Sequence, residues 1–217
     1  PDDIDAKVGV ARTLLALERV LEARSALKKL RDTHPKSMQV SYWYGKVNEA
    51  QGNRKDAEDA YRAAIEQGGK HPDVVQAYVA LALLLNQLGR SDEAQKLLAE
   101  ARAKLAESPS IHKALGELAL IQGRYEEALG EFRKALALDA DDVGAKFKLG
   151  VALWKNRNFE EAQKVFDEVA AIDRDYPGLA LERGLLYEGS GNSDEALKAY
   201  ESALAKAPND PDLMLRV

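Results

Sequence analysis

Two adjacent glutamates, Glu126 and Glu127 in "GRYEEALGEFRKALALDADD" (123–142), are the first place where this sequence offers side chains for chemistry. Paired carboxylates act as acid and base when they face one another across a substrate. Neighbours on a helix point about 100° apart, so these two do not converge. The histidines are no better placed: His34 and His71 precede Pro35 and Pro72, where an imidazole meets the carbonyls that end a helix, and His112 falls among packing residues. None has a second histidine or carboxylate at a repeated i, i+4 spacing, so no metal site is expected. There is no phosphate-cradling glycine loop and no Ser-His-Asp order, and the absence of cysteine removes thiolate and redox chemistry. Catalytic residues, metal ligands and cofactors are all expected to be none, and the chain reads as a non-enzyme.

The acids recur instead. Asp92 and Glu93, Glu160 and Glu161, Asp194 and Glu195 occupy the same place in "GRSDEA", "RNFEEA" and "GNSDEA", with "GNRKDA" and "ERVLEA" as further relatives. The spacing places them in the first turn of a helix, where negative charge suits the macrodipole. The closing alanines of these phrases, Ala23, Ala57, Ala94, Ala128, Ala162 and Ala196, define a period near 34 residues with one short insertion. Units beginning at Ile4, Met38, Val75, Pro109, Val143 and Pro177 bring other columns into line. Column 8 is small: Ala11, Gly45, Ala82, then Gly116, Gly150 and Gly184. Column 24 is large and apolar: Leu27, Tyr61, Leu98, then Phe132, Phe166 and Tyr200. Apolar spacings of three and four predict two helices per unit, broken midway at Gly52, Gly89, Gly123 and Gly191. Asn53, Asn158 and Asn192 are expected to cap the second helix, with Asp56, Glu161 and Glu195 closing a capping box. Gly68, Gly69 and Pro72 read as a longer turn between units two and three.

Composition fits that picture. The 217 residues carry a net charge of -5 and no apolar run long enough to span a bilayer. The basic and acidic residues balance over 1–108, while the acids prevail over 109–217. No clustered basic face suits a phosphate backbone, so nucleic acid is not expected as a partner, nor is membrane insertion. The opening "PDDIDAKVGVA" lacks a secretory signal; a cytoplasmic location is favoured, or a periplasmic one if a signal segment has been removed.

Small-8, Ala-20, aromatic-24 and Ala-27 at a 34-residue period resemble the tetratricopeptide repeat (TPR), in register over essentially residues 4 to 210. The resemblance implies an all-α, right-handed superhelical solenoid of helix-turn-helix units: a single domain with repeats at 4–37, 38–71, 75–108, 109–142, 143–176 and 177–210 and the start of a seventh over 211–217. Column 4, usually a large aromatic in the family, departs from it with Lys7, Ser41 and Lys146 among its residues. Leu213, Met214, Leu215 and Val217 are expected to lack a covering helix, as in a fragment of a longer repeat protein or a chain closed by a second copy.

In this family the first helix of each unit lines a concave groove, which implies that columns 2, 5, 9 and 12 face a ligand. On this chain the candidates are Arg12, Tyr42 and Lys46 in the first two units, and Val79, Leu83 and Asn86 in the third. Lys113 and Glu117 follow in the fourth, Phe147, Val151 and Trp154 in the fifth, and Leu181, Leu185 and Glu188 in the sixth. Phe147, Val151 and Trp154, at i, i+4 and i+7, are expected to form an exposed apolar patch. Arg12, Lys46 and Lys113 against Glu182 and Glu188 would orient an extended ligand. Some family members hold the terminal carboxylate of chaperone tails in a Lys, Asn, Asn, Lys, Arg clamp; here column 9 lacks its asparagine. The expected function is a protein-interaction scaffold binding a peptide segment or partner helix, by family analogy in a bacterial envelope, pilus, secretion or motility assembly. A solenoid that self-assembles through its C-terminal end, and a peptide-sensing regulator, are the alternatives.

Overall fold

In the computed structural model, which describes residues 3–71, 73–105 and 107–217, every repeat folds as two helices joined by three residues. Helices α1 (Ile4–Ala16) and α2 (Val20–Thr33), α3 (Met38–Ala50) and α4 (Arg54–Gly68), and α5 (Val74–Gln87) and α6 (Ser91–Lys104) form the first three pairs. Then come α7 (Pro109–Ile121) and α8 (Tyr125–Leu138), α9 (Val143–Lys155) and α10 (Phe159–Ile172), α11 (Leu179–Gly189) and α12 (Ser193–Lys206), and a single turn α13 (Pro211–Met214). The described residues are all-helical, as a repeat solenoid requires. They divide into two compact units, one through Ala114 and one from Leu115. Pro1, Asp2 and Pro72 lie outside the described residues, so the expected role of Pro72 in the long turn does too; Gly68 closes α4 and Gly69 follows at φ 55°.

The same hydrogen bond forms the midpoint of all six repeats. The N–H of Arg19, Asn53, Arg90, Arg124, Asn158 and Asn192 each donates to a carbonyl five residues back, at 2.8–2.9 Å. This 6→1 closure requires the preceding residue to be left-handed, and Gly52, Gly89, Gly123 and Gly191 supply it at φ 73–83°. It also corrects the expected capping boxes. A capping box needs the N-cap N–H free to meet the acid at the third helical position, but here that N–H is already spent on the preceding helix. Asn53, Asn158 and Asn192 stand at the N-cap with no side-chain bond to the helix, at ψ 62–73°. Where arginine fills this position, its guanidinium pairs with the acid three residues on: Arg19 with Glu22, Arg90 with Glu93 and Arg124 with Glu127. These pairs hold the Glu22 and Glu93 carboxyls below their usual range. Glu127 is thus engaged within its repeat, while Glu126 accepts from Asn156 of the next, at 2.6 Å.

Two turns manage without glycine: Glu18 at φ 58° and Arg157 at φ 65°. A left-handed side-chain residue costs roughly 1–2 kcal/mol, of which glycine's extra chain entropy gives back about half. Arg157→Gly is therefore expected to stabilise the chain by roughly 0.5–1 kcal/mol. The check is the denaturation midpoint at constant slope; an unchanged or lower midpoint would refute the strain.

Between the helices of a pair, column 8 meets column 24. A Cβ placed on Gly45 would lie 2.5 Å from the Tyr61 ring, and one on Gly150 would lie 2.5 Å from the Phe166 ring; Gly116 and Gly184 stand likewise against Phe132 and Tyr200. Where column 24 is leucine, as at Leu27 and Leu98, column 8 is alanine, at Ala11 and Ala82. All four are buried. The chain thus uses two complementary pairs, glycine with a ring and alanine with leucine, at one close helix approach.

At the C-terminal turn, Asp210 caps α13 and Leu213 is buried against Ala196, Tyr200 and Ala203. Leu213 therefore belongs to the core, against the expectation that it lies uncovered, whereas Met214, Leu215 and Val217 are exposed.

Candidate functional site

The first helices of successive repeats touch one another, α1 with α3 and α3 with α5 in the first unit and α9 with α11 in the second, so their free faces form a continuous strip within each unit. Columns 5, 9 and 12 fall on or near this strip, but most of their polar groups are already engaged. The Arg12 guanidinium lies 4.9 Å from the centre of the Trp43 ring. Lys46 reaches Glu49 at 3.5 Å, and Asn86 accepts from Ser91 at 2.7 Å. In the second unit the Trp154 indole N–H donates to Glu182 at 2.7 Å, with the Lys155 ammonium 4.4 Å from its ring centre. Glu188 accepts from the Tyr200 hydroxyl and from Arg216. The charge pattern expected to orient a ligand is thus largely consumed in holding neighbouring helices together.

The apolar members divide in the same way. Val79 and Leu83 are half-buried in the first unit, as are Leu181 and Leu185 in the second. Val151 is only 5% exposed and belongs to the core cluster of Leu149, Leu153 and Phe166. Its burial in that core keeps it out of the apolar patch expected of Phe147, Val151 and Trp154. Lys113 and Glu117, on α7, are half-buried.

Columns 12 and 24 are linked. The Tyr61 hydroxyl donates to Glu49 at 2.5 Å, as Tyr200 does to Glu188. Where column 24 is phenylalanine, column 12 is Leu120 or Trp154, which need no donor. Burial first, then the bond to the carboxylate, raises the Tyr61 phenol far above its ordinary value. The same causes push Tyr200 up to about 12.

The open part of the strip lies in the first unit. A cavity of about 480 Å³ is bounded by α1, α3 and α5, with Met38, Tyr42 and Trp43 as its apolar wall. Tyr42 stands edge-on to Trp43, centroids 5.3 Å apart, and tilted against Tyr61 at 6.0 Å. The polar lining is column 2, Asp5, Gln39 and Gln76, together with Arg12, whose guanidinium lies on Trp43, and His71 and Asp73, the latter at the N-cap of α5. No partner is seen for the side chains of Asp5, Gln39 and Gln76 among the described residues, and Asp73 meets only His71, at 3.7 Å. The resemblance implies that column 2 faces a ligand, but Asp5, Gln39 and Gln76 are not among the candidates named from sequence, because nothing but the placement of every possible partner reveals that a polar side chain has been left without one.

Among the described residues no group of three or more histidine, aspartate and glutamate side chains could hold a metal, and no helix is long and apolar enough to cross a membrane.

The human tetratricopeptide repeat protein 7A is 29% identical over 114 residues, which are 52% of this chain and 13% of that protein. Among solved structures, a chain of the APC/C hetero-tetramer Cut9–Hcn1 superposes with a TM-score of 0.83 at 20% identity, over 97% of this chain and 42% of that one. PilW, a type IV pilus biogenesis factor, superposes with a TM-score of 0.81 at 15% identity, over 99% of both chains. At such identities the likeness is one of fold. Sequence profiles of the tetratricopeptide repeat match residues 11–72, 49–94, 79–143, 119–182 and 177–217. With those matches spanning six repeats whose turns and column pairs coincide, the chain belongs to the tetratricopeptide repeat family.

Proposed function

We propose that the chain is a non-enzymatic scaffold that holds a peptide segment or a partner helix on the face lined by its first helices. The observation that carries this reading is the cavity in the first unit, where an aromatic wall and polar side chains without partners face outward. Half-buried Val79 and Leu83 continue that face, with Phe147, Leu181 and Leu185 on the corresponding face of the second unit. Apolar anchors beside unsatisfied polar groups are what a protein ligand completes. The fold likeness to PilW supports a place in assembling a multi-protein structure such as a pilus, by analogy of architecture.

The test is affinity capture with quantitative mass spectrometry, comparing the parent with Tyr42→Glu and Leu83→Glu, with Lys96→Glu on exposed α6 as control. Proteins that the parent and the control retain are expected to fall at least tenfold with both groove variants, each variant remaining helical by circular dichroism. An identical retained set for all four chains would overturn the groove assignment.

The exposed Met214 and Leu215 favour self-association as a second reading. Leu215→Glu, which leaves the buried Leu213 in place, is expected to abolish concentration-dependent sedimentation if that reading holds.

A further inference from the structure

Repeats two and five place the same ring pair at columns 5 and 24. Tyr42 meets Tyr61 at 6.0 Å and 41°, and Phe147 meets Phe166 at 5.9 Å and 41°. Beyond that pair the repeats differ. In repeat five the last residue, Tyr176, folds back so that its ring lies 5.0 Å from Phe147. It occupies the space over column 2, where Gly144 and Gly178 carry no side chain: Cβ atoms there would stand 3.5 Å from the Tyr176 hydroxyl and from Phe147 respectively. In repeat two the equivalent of Tyr176 is His71, which is exposed, and column 2 carries Gln39 and Gln76. The place that the chain fills with its own ring in one repeat is the open cavity in the other.

From this we infer that the cavity beside Tyr42 is the seat of an extended peptide whose arginine side chain takes the place Tyr176 takes in repeat five. The inference rests on the groove reading above and specifies its ligand. A guanidinium is planar and stacks on an aromatic face as a ring does; the molecule already places Arg12 on Trp43 in this way. Its N–H donors find carboxylates at the cavity rim: Asp5 has no cation partner, and Asp73 has only the exposed His71. The carboxamides of Gln39 and Gln76 each offer a donor and an acceptor, matching the N–H and C=O of an extended main chain. Removing Asp5 and Asp73 should therefore erase the preference for arginine, whereas removing the glutamines should weaken all peptides alike.

The probe is a positional library of acetylated, amidated ten-residue peptides with arginine, tyrosine or glutamate fixed at the centre, titrated into the full chain and followed by fluorescence anisotropy. The arginine set is expected to bind at least tenfold tighter than the glutamate set and several-fold tighter than the tyrosine set. The pair Asp5→Asn and Asp73→Asn should bring arginine and glutamate to within about twofold, and Gln39→Ala with Gln76→Ala should weaken every set about equally. A tyrosine preference, or an arginine preference that survives loss of both aspartates, overturns the inference. Binding that ignores all four changes yet falls with Leu83→Glu overturns the inference while leaving the groove reading intact. If no set binds, and capture is also unaffected by Tyr42→Glu and Leu83→Glu, both fail.

Discussion

Gly150→Ala is expected to lower the thermal midpoint by about 5–10 °C, the equivalent of about 2–3 kcal/mol of overpacking in a chain of this length. The added Cβ would lie 2.5 Å from Cε1 of Phe166, whose ring is fully buried and hemmed in by Ala162, Leu153 and Val169. The ring has no solvent to swing into, so α9 must move away from α10. The molecule contains the remedy: Ala11 with Leu27 and Ala82 with Leu98 are the same two columns solved with a smaller partner. Phe166→Leu alone leaves a small void at about 1 kcal/mol. The double variant Gly150→Ala with Phe166→Leu is expected to recover more than half of the loss, giving a coupling of about 1–2 kcal/mol in a double-mutant cycle. Additive effects in thermal unfolding followed by circular dichroism would mean that the two columns do not act as a pair.

The same columns explain why the fold was legible before any coordinates. A column that recurs six times in register cannot be accidental, and small-8 and Ala-20 report directly on a helix approach too close for anything larger. Glycine at 52, 89, 123 and 191 marked the turns because left-handed backbone excludes most other residues. Glu18 and Arg157 hid the same turn twice, since neighbouring structure overrules local preference there. The capping boxes failed for a comparable reason: the spacing of Asn53 and Asp56 is correct, but a three-residue turn gives the N-cap N–H to the previous helix first.

The binding face was less legible, because its sequence signature is defined by what remains unused. Trp154 looks like an anchor until Glu182 is seen to hold its indole, and Val151 until it is seen to be buried in the core. Conversely Gln39 and Gln76 are unremarkable in the sequence and acquire meaning from the empty space beside them. Comparing repeat with repeat sharpens this more than composition does: Tyr176 against His71, and Gly144 against Gln39, are the differences that open a cavity in one place and close it in the other.

Tyr200→Phe is expected to cross the parent in stability as pH rises. At pH 8 the variant lacks the hydrogen bond to Glu188 and should be less stable by about 1 kcal/mol. In the unfolded chain a tyrosine releases its proton near pH 10. In the folded chain, burial and the Glu188 carboxylate hold the Tyr200 proton until about 12. A group whose folded pKa is raised contributes its stability fully below the unfolded value and loses it as pH climbs through the folded one, so the parent weakens between about pH 10 and 12. Phenylalanine has no proton to release and escapes that loss. Other groups that titrate in the window, the lysines above all, are shared by both chains and cancel in the difference. Tyr61, raised by burial and by Glu49, should give Tyr61→Phe the same sign, with the loss running on to higher pH than for Tyr200. Glu188→Gln removes the negative charge that helps to raise Tyr200, which should end the weakening at a lower pH, nearer the ordinary phenol value, and so reduce its total. Urea unfolding at half-unit steps from pH 8 to 12 reads all three. A parent-minus-Tyr200→Phe difference that stays constant across that range would show that the phenol does not hold its proton as the geometry requires, and that column 12 and column 24 are neighbours without being coupled.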